Sequence, residues 1–303
     1  PVANMRHSFA LSLLLAFTRR ALALPVANIS ANAPGVSATP APNREVIITN
    51  GHPCDHGDSC DELIRELSGS KGWTTTYSTC SYTISDDGMV ERGIWIDIMQ
   101  RVKAIGLKAM PLFYEDCSHK DSCDLDKKLM AAFARQDDFI AQTVQEALQF
   151  GFDGYYLDFE FVHQEVNPDR LSSFVLAWGR ALNQHGLELS IWTSERYGLV
   201  AHYDMPKLLN PASSIASVST MDTYSLSGID SFKKHVDSAD CDKKHPHKCG
   251  LGMYDYTLSA DELMQAARDD KKKGIKSFNF YPPTLLNADE RGAMTCFLAT
   301  GGW

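Results

Sequence analysis

From residue 45 onward the chain alternates between two hydrophobic rhythms. Short apolar runs rich in β-branched and aromatic residues predict strands over Glu45–Thr49, Thr74–Cys80, Leu107–Tyr114, Asp153–Phe159, Leu187–Thr193, Ala216–Tyr224, Gly250–Tyr256 and Ile275–Tyr281. Between them the spacing shifts to that of amphipathic helices, over Asp61–Ser68, Val90–Ile105, Asp124–Phe150, Pro168–His185, Gly228–Ala239, Ser259–Lys273 and Ala288–Leu298. Only the stretch after the fifth strand is poor in helical pattern. Asp124 and Ser259 stand where N-caps belong. Gly106, Gly151, Gly186 and Gly274 fall where helices end before strands. Eight such β/α units over about 250 residues give the expectation of a single-domain (β/α)8 TIM barrel spanning 45–303. A doubly wound open sheet is the rival, but no Gly-x-Gly-x-x-Gly follows the first strand.

Ahead of the alternation the pattern differs. Met5-Arg6-His7, an apolar run over 9–17 and Ala21-Leu22-Ala23 read as the basic, hydrophobic and cleavage regions of an N-terminal signal peptide, 1–23. The apolar run is too short to span a bilayer. Residues 24–44, rich in Ala, Pro, Ser and Asn, read as a short linker, and Asn28-Ile29-Ser30 is a glycosylation sequon.

A formal charge of −9 argues against nucleic acid and anionic membranes as partners. The eight cysteines include three sequence-local pairs, 54/60, 117/123 and 241/249, each enclosing a polar loop. Together with the leader they predict disulfides and a secreted or lumenal location. Their spacings do not suit zinc, and His245 and His247 read as loop residues, so no metal and no cofactor is expected.

The candidate chemistry lies in Gly151-Phe-Asp-Gly-Tyr-Tyr-Leu-Asp-Phe-Glu-Phe161, a buried strand carrying two carboxylates. Positions i and i+2 of a strand share a face, so Asp158 and Glu160 point the same way with Tyr156 beneath them, their backbones about 6–7 Å apart. Such a pair on the inner face of an apolar strand is unfavourable unless the site is wet and used. The alternative is two solvent-facing strand-end residues. In a barrel, reacting groups belong at the C-terminal strand ends. Other residues at such ends include Asn50, Tyr82, Glu115, Trp192, Asp222, Tyr224, Tyr254, Asp255 and Tyr281.

Asp153-Gly154-x-x-x-Asp158-x-Glu160 resembles the Asp-Gly-x-Asp-x-Asp-x-Glu signature of family 18 glycoside hydrolases, the chitinase-like barrels, and most of all the chitobiase and endo-β-N-acetylglucosaminidase branch. The resemblance implies retaining, substrate-assisted hydrolysis of β-linked N-acetylglucosamine, in chitin oligomers or the N-glycan core. The substrate's own acetamido carbonyl attacks the anomeric carbon. By resemblance Glu160 is the general acid/base, Asp158 orients the acetamide, and Asp153 is structural. A general acid at neutral pH needs a raised pKa, and the Asp158 charge beside an aromatic shell pushes Glu160 that way.

This chain departs from the pattern at Tyr156, where the family has Asp. Tyr156 would tune the site or fill its floor. Met221-Asp222-Thr223-Tyr224 is one residue out of register with the family's Met-x-Tyr-Asp, making Tyr224 the candidate for the acetamide contact and Asp222 the second. Tyr254 and Asp255 are substitutes. The family's strand-eight Trp is missing, and Tyr281 or Trp192 would supply the sugar platform instead. Trp95, between two isoleucines, reads as packing. Two rivals remain: a catalytically inactive lectin, and a two-carboxylate glycosidase using Glu160 and Asp255. No Gly-x-Ser-x-Gly elbow or His-x-x-x-His pair supports a serine or metal hydrolase. The expected partner is an oligosaccharide or polysaccharide bearing N-acetylglucosamine, bound by a monomer.

Overall fold

A computed structural model of the protein describes residues 45–50, 60–69, 74–115, 125–159, 166–193, 203–220, 246–254 and 277–281, with isolated positions between 261 and 275. In chain order the described elements are β1 (Glu45–Asn50), α1 (Asp61–Gly69), β2 (Thr76–Ile84), β3 (Val90–Arg92), α2 (Ile96–Ala104), β4 (Lys108–Ala109), β5 (Leu112–Glu115), α3 (Leu125–Ala134), α4 (Gln136–Phe150), β6 (Gly154–Phe159), α5 (Pro168–Asn183), β7 (Glu188–Thr193), α6 (Met205–Leu208), β8 (Val218–Thr220), a 3₁₀ turn (Pro246–Lys248), β9 (Cys249–Tyr254) and β10 (Ser277–Tyr281). Residues 261, 265, 268, 269 and 272, between β9 and β10, are helical.

The sheet follows from the alternation. β1 pairs in parallel with β2, β2 with β5, and the parallel pairings continue through β6, β7, β8 and β9 to β10, which pairs in parallel with β1. The sheet as a whole is mixed, because β3 folds back antiparallel on β2. Helices follow β1, the β2–β3 hairpin, β5, β6 and β7, so the chain is α/β in the order its pattern predicts. The predicted helices 228–239 and 288–298, the caps Asp124 and Ser259, and the leader and linker regions lie outside the described residues.

Three elements differ from the expectation for identifiable reasons. The helix predicted to begin at Val90 begins at Ile96, because β2 runs on to Ile84 and turns back. Ser85 N donates to Met89 O at 2.9 Å, and Gly88 adopts φ +77°. A Cβ there would stand 2.3 Å from the Ala131 backbone, so the turn requires glycine. The single helix predicted over 124–150 is two helices, broken at Arg135 (φ −118°). The strand predicted over 107–114 is split at Met110-Pro111, where proline has no N–H to give the ladder. The glycines expected to end helices, Gly106, Gly151, Gly186 and Gly274, all have positive φ.

Two apolar layers result. Tyr77, Tyr82, Phe113, Tyr155, Leu157 and Ile191 face the helices with Phe139, Phe174 and Trp178. Ile47, Met110, Leu112, Tyr156 and Trp192 form a second, separate cluster on the other face. Within β6 the alternation is strict: Tyr155, Leu157 and Phe159 belong to the helix-side layer and Tyr156 to the inner one. Tyr82 therefore does not sit at a strand mouth. It lies against α4, and its hydroxyl donates to Glu146 Oε2 (3.1 Å). Trp95 packs partly buried against the helix-side layer.

Cys60 and Cys249 are disulfide-bonded, and Cys80 is not. Among the described residues no helix is long and apolar enough to cross a membrane, and no cluster of His, Cys, Asp and Glu could hold a metal.

Candidate active site

The entry to β6 is fixed at its N-terminal end. Gly151 closes α4 in the left-handed conformation (φ 71°), with its N–H to Ala147 O. Gly154 then has φ +147°, and a Cβ on it would lie 1.9 Å from Glu188 O of β7, so β6 and β7 approach closely only with glycine there. Between them Asp153 ties three elements together. Its Oδ2 accepts from Ala109 N (2.9 Å), its Oδ1 from Lys103 Nζ (2.5 Å), and its carbonyl from Glu188 N (2.9 Å). This carboxylate is at the opposite end of the strand from Asp158.

The inner face of β6 runs through Tyr156 to Asp158. Tyr156 is 0% exposed and sits edge-on to Trp192 of β7, ring centroids 5.8 Å apart at 83°. Its hydroxyl meets Ser219 Oγ (3.1 Å) and Ser217 Oγ (3.3 Å), and Ser217 Oγ donates to Ser190 Oγ (3.1 Å). Four hydroxyls from three neighbouring segments thus satisfy one another in a space that excludes water. The space is made by Gly250 of β9, whose Cβ would fall 2.1 Å from Ser219 Oγ. Trp192 is 2% exposed, so it is a wall of this interior packing.

Asp158 sits one step further along the same face, half-buried, in register with Tyr114 of β5. Tyr114 is also half-buried and packs against the inner cluster, as does Cys80 of β2. The inner face thus passes from a closed apolar and hydroxyl floor (Tyr156, Trp192, Ser190, Ser217, Ser219) to partly accessible groups (Asp158, Tyr114, Cys80) at the C-terminal strand ends. In parallel α/β sheets, ligands bind outside the carboxyl ends of the strands. A hydroxyl floor carries no net charge, and a carboxylate above it can act on a ligand held at the strand ends.

Among the sequence-predicted residues, the structure brings Asp158, Tyr156 and Trp192 onto one face and places Asp153 away from them. Tyr254 and Tyr281 are register partners at the ends of β9 and β10, so their backbones are adjacent. Glu160, Tyr224, Asp222 and Asp255 lie outside the described residues. Sequence reasoning passed over Tyr114 in favour of Glu115, although the period of two through Leu112 and Tyr114 marks Tyr114 as inward. It also missed Ser190, Ser217 and Ser219, for which small polar residues inside strands are the only signal.

No family model matches the chain, and no curated protein is similar to it in sequence. Solved structures are similar in fold. A chitinase from Chromobacterium violaceum ATCC 12472 superposes with a TM-score of 0.67 at 15% identity, over 86% of this chain and 98% of that one. The spore cortex-lytic enzyme SleL of Bacillus cereus gives 0.62 at 12%, over 83% and 73%. The Ostrinia furnacalis Group IV chitinase, in a structure with allosamidin, gives 0.61 at 12%, over 85% and 99%. With near-complete coverage of both chitinases, the protein has a chitinase-like α/β fold.

Proposed function

We propose that the protein is a (β/α)8 glycoside hydrolase of the chitinase-like type, acting on β-linked N-acetylglucosamine in chitin oligomers or N-glycans. The observation that carries the reading is the placement of Asp158. It is a partly accessible carboxylate on the inner face of the fourth of eight parallel strands, above a buried neutral floor, in a fold shared with chitinases. On this reading Glu160, two residues on, protonates the leaving oxygen and later activates water. Asp158 orients the 2-acetamido group and balances the charge of its cyclised intermediate. Tyr224 or Asp222 contacts the acetamide, Tyr254, Asp255 and Tyr281 line the sugar site, and Tyr156 and Trp192 are its floor. The protein works in a secreted or lumenal compartment, in keeping with disulfides at Cys60 and Cys249.

The test pairs two fluorogenic substrates of one geometry, an N,N′-diacetylchitobioside and a cellobioside. Turnover of the first alone is expected, because the acetamido group is the nucleophile. Equal turnover of both would favour the two-carboxylate mechanism through Glu160 and Asp255. Binding of chitin oligomers without turnover of either would make the protein a lectin.

A further inference from the structure

Among the described residues, three aromatic side chains belong to the inner face: Tyr156, Trp192 and Tyr114. A flat apolar surface for a ligand has to be reachable, and that decides between them. Tyr156 is 0% exposed and Trp192 is 2% exposed, so both rings are used up in packing. Tyr114 packs against the same cluster but is only half-buried. Its orientation follows from the strand period: Leu112 belongs to the inner cluster, Phe113 to the helix-side layer, and Tyr114 to the inner side again. Its register partner on β6 is Asp158. Adjacent strands lie about 4.8 Å apart, so the tyrosine and the aspartate leave the sheet side by side on one face. The aspartate is short and the tyrosine long. An aromatic wall therefore stands next to the one described carboxylate of this face, at the carboxyl ends of the strands, above the hydroxyl floor.

We propose that Tyr114 is a ligand-binding residue of this site, the ring against which the sugar lies when its acetamido group meets Asp158. A β-linked glucosamine ring carries its substituents equatorially, so each of its faces is a patch of axial C–H bonds. Such a patch suits the negative face of an aromatic ring, whose packing supplies area and orientation together. Tyr114 thus takes the part of the sugar platform, which burial denies to Trp192. The ring carries this role and the phenol oxygen does not. The assignment deepens the glycosidase reading and rests on it.

The test compares Tyr114→Leu, which keeps apolar bulk without a flat face, with Tyr114→Phe, which keeps the ring. Binding of a chitin tetramer and of cellotetraose is measured by calorimetry on the full chain carrying Glu160→Gln, so that turnover does not consume the ligand. Tyr114→Leu is expected to weaken the chitin tetramer by about threefold to tenfold, the size of one aromatic contact, and Tyr114→Phe to leave it unchanged. With Glu160 intact, Tyr114→Leu should raise KM for the chitobioside by a similar factor at constant kcat, a split that general damage to the fold does not give. If Tyr114→Leu does not fold, Tyr114→Trp takes its place; it should bind at least as tightly as the native chain and report the ligand by a change in emission that the native chain lacks. Native-like binding by Tyr114→Leu, equal losses in Tyr114→Leu and Tyr114→Phe, or a Tyr114→Trp emission that ignores the ligand would overturn the proposal and leave the glycosidase reading standing. Binding of cellotetraose alone, weakened by Tyr114→Leu, would uphold Tyr114 and overturn the N-acetylglucosamine reading. Binding of neither tetramer would overturn both.

Discussion

Tyr156 occupies the position where the resemblance leads one to expect a second carboxylate, and its surroundings explain why a tyrosine fits. The phenol is fully buried and bonded to Ser217 and Ser219, with Trp192 on its ring. Tyr156→Phe removes one partner from two buried serines and is expected to destabilise by about 1–2 kcal/mol, read from the denaturant midpoint at constant slope. Tyr156→Asp is expected to be worse by several-fold in the folding constant. It leaves a void where the ring was and sets a charge in a space with no cation among the described residues. If Tyr156→Asp were neutral, the floor would be wet. Asp158 and Tyr156 were legible from sequence because the period of two assigned both to one face. The serine partners were not, since their pairing depends on which strands become neighbours.

Among elements, the β2–β3 hairpin and α4 are joined by a charged contact that is buried on the α4 side and open to water on the hairpin side. Arg92 donates from Nε and a terminal nitrogen to Glu146 (2.7 and 2.5 Å), Tyr82 donates to the same carboxylate, and the guanidinium lies 5.0 Å from the Phe150 ring centroid. Glu146 is 5% exposed, whereas the Arg92 side chain is about half exposed, so the two partners are not equivalent. Arg92→Ala strands a buried carboxylate and is expected to cost about 3 kcal/mol. Glu146→Gln keeps the shape, leaves an arginine that water can reach, and should cost less. Equal losses from both would show that the carboxylate is hydrated. This hairpin was not legible in the sequence. Val90 and Ile94 fit a helical stripe with Ile98, and only the backbone contact of Gly88 with α3 shows why the chain turns back. The end of α4 at Gly151 and the α5 helix were legible because long apolar periodicity and a glycine or proline at one end agree, whereas the break at Arg135 that separates α3 from α4 carries no such signal.

For the whole molecule, the described tyrosines Tyr77, Tyr82, Tyr155 and Tyr203 have phenols raised above the ordinary value, in each case chiefly by burial. A group raised in the folded state gives stability that is complete below its unfolded value and lost as pH rises beyond it. Stability should therefore hold up to about pH 10 and then fall, each phenol contributing a slope of about 1.4 kcal/mol per pH unit. Absorbance of these phenolates is expected to appear with unfolding, and their titration in the folded protein would contradict their burial. The same burial order positions the candidate site: apolar and hydroxyl layers within, and a half-accessible Asp158 at the strand ends. The most direct measurement is hydrolysis of a fluorogenic N,N′-diacetylchitobioside by the native chain and by Glu160→Gln, with and without a thiazoline mimic of the cyclised intermediate. The expected result is turnover that falls by at least about 100-fold in Glu160→Gln, as for loss of a general acid, and that the thiazoline blocks in the native chain. Turnover that survives Glu160→Gln and ignores the thiazoline would contradict substrate-assisted catalysis at Asp158 and Glu160.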